Sequence, residues 1–436
     1  MAGAHLCLAS VFNPWWGNMA RSLRNAFFLP LTGLHASSAA WVLGQQVLVR
    51  GLVAIKFLMV GRILGPSAVG IAAVALLAVA IAEALSDTGL PQAVVQDKQT
   101  PTPEQLSALW TALTCRGAAV ALLLVALAPL LEAQFHLAGS LLLLQLAAAL
   151  PLIRGLASPA YFVVTRDRGF QHIAGIEVAA AGTDCGVSLA CAFAGAGAMS
   201  ILIGLLAGES AKTALTWLSM RPRPPLRLRW AGIGHYVGFS RWIWAGSVVN
   251  LLLNQFDKVI VGKLLGPAQL GAYQMSSKFA QMLLADAGIA ISQYLFPTFA
   301  ARFRKQDGSD AVLLRRFVLV GGVGLAIVVV VLRLVAEPLF LLVLGPAWLG
   351  AVPLFRIFTI NMAIGGLIAV LVAYLRAVGI PKAATHASVL QVCVLLATVP
   401  PATRYWGAQG IAWSMTAGLA VAAAWMLCQI LTMRRV

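Results

Sequence analysis

The chain has 436 residues, of which 60% are hydrophobic and 10% charged, with a formal net charge of +17. A soluble globular domain carries about 25% charged residues, so this composition excludes one and places most of the chain in lipid. In that setting the excess of Lys and Arg sets topology and meets anionic headgroups, so nucleic acid is not an expected partner.

Residues 1–38 place Trp15, Trp16, Phe27 and Phe28 around Arg21 and Arg24, with no basic run ahead of an apolar one. This pattern predicts a segment on the cytoplasmic membrane surface and not a secretory signal. Apolar stretches of about 20 residues then recur, each long enough to cross about 30 Å of hydrocarbon as a helix. The predicted spans in the first half are 39–62, 67–89, 107–131, 138–160, 173–195 and 198–219. Those in the second half are 240–263, 268–294, 313–335, 352–376, 383–403 and 409–431. The expected fold is an all-α integral membrane protein of about twelve transmembrane helices, since the period-two strands of a barrel are not seen.

A repeated phrase organises these spans. GRILGPSAVG (61–70) returns as GKLLGPAQLG (262–271), with the first Gly, Leu-Gly-Pro and the last Gly in register at an offset of 201 residues. Gly-Pro cannot continue a helix, because proline lacks the N–H and crowds the preceding turn, so each phrase predicts a hairpin between two spans. An internal repeat divides the chain into two related six-helix bundles, 39–219 and 240–436, joined by a basic cytoplasmic linker, 220–239. An even number of spans in each bundle makes the repeat parallel, a design that places the substrate path between the halves.

Loop charge orients the chain. Arg166, Arg168, Arg221, Arg223, Arg227, Arg229, Arg302, Arg304, Lys305, Arg315, Arg316, Arg376, Lys382, Arg434 and Arg435 fall on one side. Little beyond Arg62, Lys263 and Arg404 falls on the other. Both termini are therefore expected in the cytoplasm, with the two Gly-Pro hairpins outside.

An ionisable group inside a span costs about 2.5 kcal/mol or more, so such groups are functional candidates. Span one carries Arg50 and Lys56, and span seven carries Ser247, Asn250, Asn254 and Asp257 as one polar stripe at spacings of three, four and three. Span eight adds Gln274, Ser277, Lys278 and Gln281 on one face. The substrate-cavity candidates are Arg50, Lys56, Asn250, Asn254, Asp257, Lys278 and Gln281. The repeat offset maps Lys56 onto Asp257, which suggests a charge latch across the halves at the outer gate. Glu177 and Asp184 in span five, seven residues apart, are the candidates for binding a coupling H⁺ or Na⁺, whereas Glu209 has Lys212 as an expected intrahelical partner. The six cysteines form no C-x-x-C pair and the histidines have no ligand spacing, so no metal is expected. No P-loop, G-x-S-x-G or H-E-x-x-H is present, no cofactor is expected, and the chain does not read as an enzyme.

The stretch from Gly61 to Gln96 resembles the start of the polysaccharide-transporter, or oligosaccharide flippase, proteins: a basic-Leu-Gly-Pro hairpin, a helix ending in Asp-x-Gly-Leu, and a run ending in Val-Gln. Phe256–Phe299 resembles the midpoint of that family, with an Asp before the second Leu-Gly-Pro and a Phe-Pro closing the next helix, and residues 339–358 give a weaker match. The resemblance implies the superfamily that also holds multidrug exporters and lipid II flippases. Its fold is two six-helix bundles forming a V around a central cavity. It further implies flipping of undecaprenyl-diphosphate-linked oligosaccharide across the bacterial inner membrane by alternating access, for O-antigen, capsule or exopolysaccharide assembly. Membrane lipids and polysaccharide polymerase or export proteins are the implied partners. Lipid II flippases carry two extra helices that about twelve spans leave no room for, which argues against that substrate. The alternative is a cation-coupled small-molecule exporter of the same fold, which an acidic, aromatic cavity would favour.

Overall fold

The computed structural model describes residues 35–433 except 98, 168, 222–233 and 306–307. All but the last four residues of the predicted interfacial segment, most of the linker, Arg168 and the basic C-terminal pair lie outside the described residues. Everything described is helix, turn or loop, with no strand among the described residues.

In chain order the helices are α1 His35–Leu85, α2 Leu90–Gln96, α3 Pro103–Gln134, α4 Leu141–Ala147, α5 Ala149–Gly155, α6 Ala160–Arg166, α7 Phe170–Phe193 and α8 Met199–Ser219. The second half has α9 Gly234–Ala280, α10 Asp286–Phe303, α11 Ser309–Arg316, α12 Gly322–Leu334, α13 Ala336–Val343, α14 Val352–Ala377 and α15 Pro381–Met433. Single π turns, Gln281–Ala285 and Phe317–Gly321, join α9 to α10 and α11 to α12. Among the described residues, seven helices are long and apolar enough to cross a membrane, or eight if the bent pair Leu141–Gly155 and Ala160–Arg166 makes one span.

The long helices break where the Gly-Pro argument requires. Gly65 (φ 74°, ψ 177°) interrupts α1 and Gly266 (φ 82°, ψ 174°) interrupts α9. Gly345, before Pro346, adopts the same conformation (φ 90°, ψ 175°). The following proline forces extended ψ on its predecessor, and only glycine tolerates that ψ at positive φ. Gly407 (φ 56°) breaks α15 between the last two predicted spans.

The two repeat phrases pack on each other. A Cβ added at Gly70 would overlap the carbonyl oxygen of Pro267, and one at Gly271 would overlap that of Pro66. Close backbone approach through small residues is how helices associate where lipid is as apolar as the side chains. The largest core cluster surrounds this crossing and draws from both halves, including Val69, Ala73, Leu270, Tyr273, Phe340 and Trp348.

Span four departs from its expected form. The stretch 138–160 is read as one helix, but the chain bends by 58° between α4–α5 and α6. Pro159 follows the bend and removes one donor. The carbonyls this frees are capped from neighbouring helices. Trp217 Nε1 reaches Leu156 O at 2.8 Å, Thr114 Oγ1 reaches Gly155 O at 3.0 Å, and Thr213 Oγ1 reaches Ile153 O at 3.0 Å. The Ser158 amide donates to Thr216 Oγ1 at 3.1 Å. Broken backbone survives at membrane depth only with such internal partners.

Candidate functional site

The bend in span four turns Arg154, the penultimate residue of α5, toward a cavity of about 460 Å³. Its walls are the second limb of α1, α2, α3, α5, α6 and, from the second half of the chain, the first limb of α9. The cavity therefore lies between the two halves. Its polar lining comprises Glu83, Asp87, Gln92, Arg116, Arg154, Ser247, Asn250, Asn254 and Gln255. Among the described residues Phe162 is the one aromatic side chain that lines it.

Arg154 is held between two carboxylates, Glu83 at 2.7 Å and Glu209 at 2.8 Å. Arg116 donates to the Ser86 hydroxyl and to the Glu83 carbonyl, both at 3.2 Å. These bonds fix the planes of two guanidinium groups beside the cavity, and guanidinium offers several donors in a rigid fork suited to phosphate or carboxylate. Asn254 Nδ2 donates to Asn250 Oδ1 at 2.6 Å, one helical turn away, so the two amides present a shared polar face.

The halves are bridged at both ends of the second limb of α1, at its Leu85 end beside the cavity and at its Gly-Pro end outside the cavity lining. At the end near Leu85, Trp244 Nε1 donates to Leu85 O and Ser247 Oγ to Asp87 Oδ2, each at 2.8 Å. At the Gly-Pro end, Trp348 Nε1 donates to Gly61 O at 3.0 Å, and Arg62 donates to the carbonyls of Leu342 (2.5 Å) and Val343 (3.2 Å).

Of the residues expected in the cavity, Asn250 and Asn254 line it. Asp257, on the same predicted stripe, is buried at 4% exposure and accepts the Tyr273 hydroxyl at 2.8 Å. Lys56 pairs with Asp184 at 2.5 Å, both about one-seventh exposed. The latch expected between Lys56 and Asp257 is therefore not formed. Each member of this repeat-related pair bonds within its own half. Arg50 is exposed on α1, and Lys278 donates to Gln281 at 3.1 Å beside the first π turn; none of the three lines the cavity.

The ion-coupling candidates share a face of α7 but not a site. Glu177 pairs with Lys212 at 2.6 Å and accepts the Tyr161 hydroxyl at 2.8 Å, whereas Asp184 holds Lys56. The intrahelical Glu209–Lys212 pair gives way to Glu209–Arg154 and Lys212–Glu177. Arg116 and Arg154 escaped the sequence reading, although both fall inside predicted spans and the rule that selected Arg50 selects them equally.

The family profile described as polysaccharide biosynthesis protein matches residues 59–353, more than half of the chain and both Leu-Gly-Pro phrases. The chain belongs to this family. Among curated relatives, the lipopolysaccharide biosynthesis protein WzxC of Escherichia coli (strain K12) is 25% identical, over 79% of this chain and 68% of that protein. The succinoglycan biosynthesis transport protein ExoT of Rhizobium meliloti (strain 1021) is 24% identical, over 79% of this chain and 70% of that protein. Among solved structures, the lipid II flippase MurJ in an inward closed conformation superposes with a TM-score of 0.73 at 12% identity, covering 90% of this chain and 87% of that one. That last likeness is one of fold. This member of the polysaccharide biosynthesis family has several helices able to cross a membrane, and its matched region covers the cavity walls from both halves.

Proposed function

We propose that the chain flips an undecaprenyl-diphosphate-linked oligosaccharide repeat unit across the bacterial inner membrane, for surface or exopolysaccharide synthesis. The observation that carries this reading is the cavity between the halves, where Arg116 and Arg154 lie beside four carboxamide side chains, Gln92, Asn250, Asn254 and Gln255. Guanidinium in a partly dehydrated site binds phosphate oxygens strongly. Carboxamides both donate and accept, as sugar hydroxyls require. The names of WzxC and ExoT support a polysaccharide cargo. The scarcity of aromatic lining weighs against the small-molecule exporter.

In this reading about twelve spans form two six-helix bundles, 39–219 and 240–436, and both termini are cytoplasmic. Parting of the Trp244–Leu85 and Ser247–Asp87 bonds admits the head group from the cytoplasm. Parting of the Trp348–Gly61 and Arg62–Leu342 bonds releases it outside to polymerase and export proteins. The two bundles rock against each other between these states.

The test is the lipid extract of a deletion strain, analysed by mass spectrometry and complemented with wild type or Arg154→Ala. Accumulation of one completed repeat unit on undecaprenyl diphosphate, relieved by wild type and not by the variant, is the expected result. Intact surface polymer with no such lipid would sink the reading.

A further inference from the structure

A second cavity of about 500 Å³ opens beside the first. It is lined by Gln45 on α1, Val95 and Gln96 on α2, Tyr161 and Thr165 on α6, and Phe170 and Ile173 on α7, and it shares Pro91, Gln92 and Phe162 with the charged cavity. α2 is the partition. It buries Leu90, Ala93 and Val94 and turns Pro91 and Gln92 to both spaces, but Val95 and Gln96 only to the second. Beside the three glutamines Gln45, Gln92 and Gln96, the lining carries two hydroxyl groups, and both are already engaged. The Tyr161 hydroxyl is bonded to Glu177, and the Thr165 hydroxyl to the Tyr161 carbonyl. What these two side chains offer the slot is carbon.

The slot also sits at a defined depth. Gln45 is at the beginning of the apolar stretch of α1, and Phe170 and Ile173 are at the beginning of α7, both candidate membrane spans. The slot therefore lies at one membrane boundary, on the side that loop charge assigns to the cytoplasm.

An apolar slot continuous with a cavity holding two arginines matches one class of ligand, an amphiphile with an anionic head and a long hydrocarbon chain. We infer that the slot receives the first part of the isoprenoid chain of the lipid-linked substrate while its diphosphate sits near Arg154 and Arg116. This inference rests on the function proposed above. It adds where the lipid enters: laterally from the inner leaflet, between α1 and α7 and past α2, within the first half of the chain. The chain then remains among apolar side chains while the head alone crosses polar surroundings, so neither part is desolvated against its chemistry.

The experiment uses the full chain in proteoliposomes and a polyprenyl diphosphate carrying a diazirine near the head end of its chain. After irradiation, labelled residues are mapped by mass spectrometry with and without excess undecaprenyl diphosphate. Labelling of Val95, Phe170 and Ile173 that the competitor removes is expected, with labelling of the exposed Val323 and Ile327 on α12 unaffected. Val95→Trp and Ile173→Trp, which fill the slot, should each lower the competable label about tenfold. Binding of inorganic diphosphate, and its dependence on Arg154, should persist in both and reports that they are folded. Competable labelling that avoids the slot, with diphosphate binding intact, overturns the inference alone. Absence of Arg154-dependent diphosphate binding in the wild type overturns the functional reading beneath it.

Discussion

Single side chains divide the intramembrane charges into two groups with different roles. Lys56–Asp184 and Lys212–Glu177 tie helices of the first half together, and both pairs are largely withdrawn from water. Removing one partner of such a pair strands the other charge and costs more than removing both. Lys56→Met should destabilise by about 2–4 kcal/mol, and the double variant Lys56→Met, Asp184→Leu should recover most of that loss, as read from heat-induced aggregation of purified protein. A charge exchange between Lys56 and Asp257 should recover nothing. Arg154 differs, because its two carboxylates hold it at the edge of the cavity. Glu83→Gln should weaken that hold and increase affinity for inorganic diphosphate several-fold, whereas Arg154→Lys, which keeps the charge and loses the fork, should reduce it. The rule that ionisable groups in spans mark function picked out Lys56, Glu177 and Asp184 but was not carried through to Arg116 and Arg154. It could not say which cation meets which carboxylate, because partners lie 35 to 128 residues apart and are chosen by packing.

Glycine and proline punctuate the elements. The breaks at Gly65 and Gly266 were legible from two letters, since Gly-Pro dictates the backbone angles found there. The bend in span four was not, because Pro159 alone does not reveal that Trp217, Thr114 and Thr213 stand ready on other helices to cap the freed carbonyls. Trp217→Phe should leave the Leu156 carbonyl short of its better donor and cost about 1–3 kcal/mol, measured as a fall in the melting temperature of detergent-solubilised protein. At the crossing of the repeat phrases, Gly70→Leu and Gly271→Leu should be similarly damaging, because each drives a side chain into the opposing proline carbonyl. A loss at one position only would argue against a symmetric crossing.

For the molecule as a whole, the bonds that join the halves at the two ends of the second limb of α1 constrain how it can move. The halves are joined near Leu85 by Trp244 and Ser247, and near Gly61 by Trp348 and Arg62. The buried Trp348 is the stronger candidate for holding the Gly-Pro end shut, since its ring fills the shared core as well as bonding Gly61. Trp348→Phe keeps most of the packing and removes the bond. It should shift the population toward a state open at that end, seen as several-fold faster labelling of a cysteine at position 254 by an impermeant maleimide added outside intact cells. Unchanged labelling would assign the closure to the glycine crossing instead.

The medium, the helical class, the breaks at Gly-Pro and the family could all be read from the order of the amino acids. Each follows from local properties: the apolar content of a stretch, the backbone demands of two residue types, and short motifs read in register. Which charges face the cavity depends on how the helices pack. A helix stripe such as Ser247–Asn250–Asn254–Asp257 tells that one side is polar, but Asn254 meets the space between the halves and Asp257 meets Tyr273 in a packed core. Three residues move the side chain about 60° around the helix axis, and the neighbours on either side of that angle come from distant parts of the chain.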